Sequence, residues 1–104
     1  MKQEHGKPFS ATATHATSAV ATQTGVALQT IYITDISGSS DKSGALILVK
    51  DGATVIWQDI VNAGNYRMNF LTPLKVTVGA NASVTVDGTS DCKSNIAGFI
   101  LNNS

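Results

Sequence analysis

The feature that most constrains this chain is Lys50-Asp51-Gly52-Ala53, set between two apolar runs, Ala45 to Val49 and Thr54 to Ile60. Asp-Gly between such runs signals a β-hairpin, because a type I′ turn needs positive φ at both central residues. Asp tolerates that conformation, and Gly has no Cβ to clash. A two-residue Asp51-Gly52 turn predicts a register with Val49 opposite Thr54, Leu48 opposite Val55, Ile47 opposite Ile56 and Leu46 opposite Trp57. Opposed residues share a face. One face then carries Ile47, Val49, Thr54 and Ile56, and the other Leu46, Leu48, Val55 and Trp57. Both are apolar, whereas a lone sandwich covers only one face of each sheet. The second face is covered either by the rest of the chain or by another copy. The β-branched set suits a packed interior, so Leu46, Leu48, Val55 and Trp57 are the expected oligomer interface.

The remaining chain reads as further strands. Ser18 to Gln23 forms a first short strand, with Gly25 breaking it, and Ala27 to Ser37 a second, rich in Ile, Tyr and Thr. Gly38 to Gly44 has the composition of a loop. After the hairpin, Tyr66, Met68 and Phe70 alternate with polar neighbours, Thr72-Pro73 ends that strand or marks an edge, and Leu74, Val76 and Val78 alternate again. Val84 and Val86, then Ala97, Phe99 and Leu101, complete the pattern. Strands at this spacing, with no helical period, predict an all-β fold. The expected architecture is a single antiparallel β-sandwich, jelly-roll-like, of seven to eight short strands over residues 17–104. Residues 1–16 are expected to be a flexible N-terminal arm. Their Ala/Thr/Ser composition buries too little to offset ordering entropy, and Phe9 is the one sizeable apolar anchor.

Composition narrows the function classes. The 104 residues suit one domain, and only 13% are charged, with a net charge of zero. That leaves no basic footprint for nucleic acid and no charged tail. With one cysteine, Cys92, no intramolecular disulfide can form, and Cys92, His5 and His15 are too few for a structural zinc site. No apolar run approaches the ~18 residues of a membrane-spanning helix, and no signal-peptide core follows the first residues, so maturation in a cytoplasm is expected. No nucleophile elbow, metal-binding histidine pair or phosphate loop is present, so no catalytic, cofactor or metal residue is assigned. Asp41 and Asp91 lie in loops and offer oxygen ligands for calcium, without the spacing of a calcium loop. Trp57, Tyr66 and Tyr32 offer an alternative reading as the aromatic platform of a carbohydrate-binding module.

Taken in order, the Gly/Ser loop, Ala45 to Val49, Lys50-Asp51-Gly52, Phe70-Leu71-Thr72-Pro73-Leu74-Lys75-Val76-Thr77-Val78-Gly79 and Val84-Thr85-Val86-Asp87-Gly88 form a familiar pattern. It resembles the small all-β virion proteins of tailed bacteriophages, most of all capsid decoration (cement) proteins, from about Thr24 to Leu101. The resemblance implies a non-enzymatic homotrimer on the outer capsid surface, made in the bacterial host cytoplasm. It would bridge major capsid proteins and stiffen the shell. Lys7, Pro8 and Phe9 of the arm are then the expected capsid contacts. A tail, baseplate or head-fibre domain is the alternative within the same virion.

Overall fold

A computed structural model of the chain describes residues 7–41, 44–62, 64–88 and 91–102. The described residues form eight strands: β1 (Lys7–His15), β2 (Ser18–Gln23), β3 (Gln29–Ser40), β4 (Ala45–Asp51), β5 (Thr54–Val61), β6 (Gly64–Lys75), β7 (Ala82–Asp87) and β8 (Cys92–Asn102). They build two four-stranded antiparallel sheets, ordered β1-β8-β3-β6 (the first sheet) and β2-β7-β4-β5 (the second). The chain is a β-sandwich, and its order is that of a jelly roll: β1 pairs with β8, β2 with β7, β3 with β6 and β4 with β5. Partners in all four pairs stand nearly equidistant from Gly52-Ala53: Lys7 with Ile100, Ser18 with Asp87, Ser40 with Gly64, Asp51 with Thr54. The molecule is one long hairpin folded over on itself.

Period-two alternation fills the space between the sheets. Ile31, Ile33 and Ile36 of β3 and Ile96 of β8 meet Ile47 and Val49 of β4, Val84 and Val86 of β7, and Ala19 and Ala21 of β2, all fully buried. β8 can lie close to β3 because position 98 is glycine. A Cβ there would sit 1.9 Å from the Tyr32 carbonyl oxygen. β3 carries an irregularity at Thr34, and residues 70–73 of β6 stand opposite that one position. Pro73 is tolerated because β6 is an edge strand of the first sheet. Tyr66 to Lys75 is therefore one continuous strand, not two.

Further expectations need correction. The loop expected over Gly38 to Gly44 does not begin at Gly38, because β3 runs on through Ser40. The hairpin turn is Gly52-Ala53, not Asp51-Gly52, since Asp51 already pairs with Thr54. Gly52 has φ of 62° and Ala53 is not in the left-handed region, so positive φ falls only on the first turn residue, as a type II′ turn requires. A β-bulge then inserts Ile56 between Val55, opposite Lys50, and Trp57, opposite Val49. The predicted pairings are displaced, and Trp57 leaves the Leu46/Leu48 face for the inner one. Finally, residues 7–15 are not an arm. They pair along their whole length with β8, from Lys7 with Ile100 to His15 with Cys92, while residues 1–6 lie outside the described residues. Backbone ladder bonds and half-buried Phe9, Ala11 and Ala13 supply what the composition lacks.

Candidate functional site

The two sheets have similar inner faces and dissimilar outer ones. On the second sheet, neighbouring cross-strand rows bring Val20, Thr85, Leu48 and Gln58 into line, then Ser18, Asp87, Leu46 and Ile60, then Thr22, Ser83, Lys50 and Val55. Val20, Leu46, Val55 and Ile60 are 47%, 41%, 43% and 55% exposed, and Leu48 between them is half-buried. Leu46, Leu48 and Ile60 adjoin one another at the centre of this apolar surface, while Val20 stands beyond Thr85 and Val55 beside Lys50, with Asp87 and Gln58 interleaved. Three of the four expected interface residues, Leu46, Leu48 and Val55, are here. Val20 and Ile60 join them, Ile60 because the bulge sets it opposite Leu46.

Trp57, the fourth, lies on the other side of β5. Its ring meets Phe70 edge-on at 5.5 Å and Tyr66 at 6.1 Å, tilted by 52°, and all three are half-buried where β5 and β6 close the open side of the sandwich. The Tyr66 hydroxyl donates to Asp59 Oδ2 at 2.6 Å, and the Ile60 N–H donates to Asp59 Oδ1 at 2.8 Å. Desolvation, then the bond to Asp59 and its charge, pushes the Tyr66 phenol up to about 12. The same hydroxyl, with the Ile60 N–H, holds the Asp59 carboxyl below its ordinary value. Tyr66 thus clamps β6 to β5. Trp57 and Tyr66 are not coplanar, and Tyr32 is on the outer face of the first sheet, stacked on Phe99 at 5.0 Å and 12°. The structure does not bring these three rings together as a platform.

The first sheet's outer face is polar. Its rows run Ser10, Ala97, Asp35 and Asn69, then Thr12, Asn95, Ser37 and Arg67, then Thr14, Lys93, Ser39 and Asn65. Beyond the irregularity at Thr34 comes the row of Pro8, Phe99, Tyr32 and Lys75. Asp35 is held at both oxygens: Asn69 Nδ2 donates to Oδ1, and Thr34 Oγ1 donates to Oδ2 at 3.0 Å. Asn95 Nδ2 donates to Ser37 Oγ at 3.0 Å. Two adjoining hollows of about 370 Å³ each open here and share Ser37, Arg67 and Asn95. Sequence reasoning missed this face because its residues come from four strands distant along the chain and no motif joins them.

Of the expected capsid contacts, Lys7 and Pro8 are exposed on edge strand β1, while Phe9 turns inward against the core. His5 lies outside the described residues. His15 caps the β1–β2 turn, its Nδ1 accepting from the Thr17 and Ser18 N–H groups at 3.1 Å each. Cys92 is buried, its thiol 3.6 Å from the Thr17 carbonyl. Asp41 and Asp91 line a hollow with His15 and Lys93. No group of three or more potential metal-ligating side chains occurs among the described residues.

No protein-family model matches the chain, and no curated protein matches it. Among solved structures it is similar to the insecticidal delta-endotoxin Cry8Ea1 from Bacillus thuringiensis, with a TM-score of 0.50 and 16% identity. The match covers 93% of this chain and 20% of that one, so this chain spans about a fifth of the toxin's length. At that identity the likeness establishes the β-sandwich fold.

Proposed function

We infer that the chain is a structural protein of a bacteriophage virion, a decoration protein that binds the outer surface of the head as a homotrimer and bridges major capsid proteins. The observation that carries this reading is the outer face of the second sheet. Val20, Leu46, Leu48, Val55 and Ile60 crowd one surface of a chain whose charged fraction is only 13%. An apolar surface of several hundred Å² is the size that often marks an interaction site. Burying roughly 400 Å² of it per chain against a copy is worth about 10 kcal/mol before association costs. The sequence resemblance to decoration proteins and the jelly-roll order, an architecture used by viral capsid domains, support the same reading. Lys7 and Pro8 remain as its capsid-facing residues, and three subunits engaging at once make weak individual contacts firm. The interface set is now Val20, Leu46, Leu48, Val55 and Ile60, with Trp57 withdrawn to the interior.

Sedimentation equilibrium of the native protein beside Leu48→Asp tests this. A trimer that falls to monomer on substitution, with its β-sheet circular dichroism intact, is the expected outcome. A native protein that stays monomeric at every concentration overturns the preassembled trimer, and a trimer indifferent to the aspartate overturns this face as its interface.

A further inference from the structure

We propose that the outer face of the first sheet is a binding site for an acidic glycan chain, recognised by a sugar carboxylate at Arg67 and by sugar hydroxyls along the neighbouring rows. The two adjoining hollows have different chemistry. The first contains Asp35, a carboxylate that accepts from Asn69 and Thr34 and keeps its negative charge, so it repels an anion and suits neutral sugar hydroxyls instead. The second is lined by Ser37, Ser39, Asn65, Arg67, Lys93 and Asn95 among others, with two cations and no carboxylate. Among the described residues nothing engages the Arg67 guanidinium.

A guanidinium presents a planar fork of donors that matches a carboxylate with two parallel bonds. Asparagine amides and serine hydroxyls both donate and accept, which suits sugar hydroxyls. The Asn95–Ser37 and Asp35–Asn69 bonds orient these groups before any ligand arrives, so little ordering cost falls on binding. The Tyr32–Phe99 stack closes the far end of the face with apolar surface one row beyond Asp35. Nucleic acid fits less well: the chain has no net charge, and polyphosphate binding draws its affinity from many cations. The site is independent of the trimer, since it lies on the opposite sheet.

The test is a titration of the isotope-labelled full chain by ¹H–¹⁵N NMR with trigalacturonate, with maltotriose and a single-stranded oligonucleotide as comparisons. Trigalacturonate is expected to move the side-chain signals of Asn65, Asn95 and Arg67 and to leave Gln58, on the other sheet, unmoved. Arg67→Ala is expected to weaken that binding by about tenfold, as for loss of a charge-assisted pair, with the rest of its spectrum showing the fold intact. Asn95→Ala should weaken it as well. No movement with trigalacturonate, equal binding of maltotriose, tighter binding of the oligonucleotide, or an Arg67→Ala protein that binds as before each overturns the proposal. Sedimentation reads the other face, so failure here and failure of the trimer are distinguishable.

Discussion

The outer faces of the two sheets are built on the same scaffold and differ in almost everything else. β3 and β4 are both central strands with fully buried isoleucines pointing inward, Ile33 and Ile36 on one, Ile47 on the other. Outward, β3 shows Tyr32, Asp35, Ser37 and Ser39, while β4 shows Leu46 and Leu48. In a sandwich the inward positions are fixed by packing, and the outward ones are free to serve whatever the surface meets. The contrast therefore separates what the fold requires from what it does not. An apolar outer face is unnecessary for folding, and a hydrogen-bonded polar one is equally so.

The largest expected effect falls on what the two faces share. Ile47→Ala removes a fully buried side chain from the centre of the second sheet and should cost about 3 kcal/mol. Urea unfolding should show one transition at lower denaturant, with both faces lost together. Two separate transitions would mean that the sheets are energetically divisible. A smaller, one-sided effect is expected from Gly98→Ala, whose Cβ would meet the Tyr32 carbonyl oxygen at 1.9 Å. Forcing β8 away from β3 should cost about 2 kcal/mol and disturb the Tyr32–Phe99 stack. Sedimentation should show the assembly state of the second sheet unchanged. A change in mass would mean that the two faces are coupled.

The smallest effect concerns the seam between the sheets. Absorbance titration of the phenols should show one tyrosine ionising at about 12, and that step should vanish in Tyr66→Phe. The sign follows from the raised value: the pair's contribution to stability is whole below the ordinary tyrosine value of 10.0 and is lost as pH rises through about 12. The lowered Asp59 value sets the other limit, with stability present above 3.8 and lost as pH falls through its folded-state value. A Tyr66→Phe protein with an unaltered alkaline melting profile would show that the clamp does not hold β5 to β6.

Eight strands agrees with the sequence-based expectation, but they are not the same eight. Lys7 to His15 has the mostly small, polar composition of an arm, yet a strand that pairs along one edge needs little side-chain burial of its own. Pro73 signals a boundary in the sequence, yet an edge strand accommodates it, so β6 is one strand where the sequence suggests two. The inward set of Ile47, Val49, Val84 and Val86 was legible because β-branched alternation is what buried strands require. The side of Trp57 was not. A one-residue bulge at Ile56 leaves no mark in an apolar run, yet it changes the register of everything beyond it. The polar face was illegible for a different reason: Asp35, Arg67 and Asn95 become neighbours only through strand order.

The nesting of strand pairs around Gly52-Ala53 also sets a timetable for folding. β4 and β5 close a turn of two residues, whereas β1 and β8 close a loop containing nearly all of the described chain. Loop-closure entropy rises with length, so each inner pair lowers the cost of joining the next outer one by holding its ends close. If assembly zips from the midpoint outward, β1 is the last strand to join. Its departure would bare the nine positions of β8 that it covers, from Cys92 to Ile100. Two molecules caught at that stage can each lend β1 to the other, an exchange that uses no contact absent from the monomer.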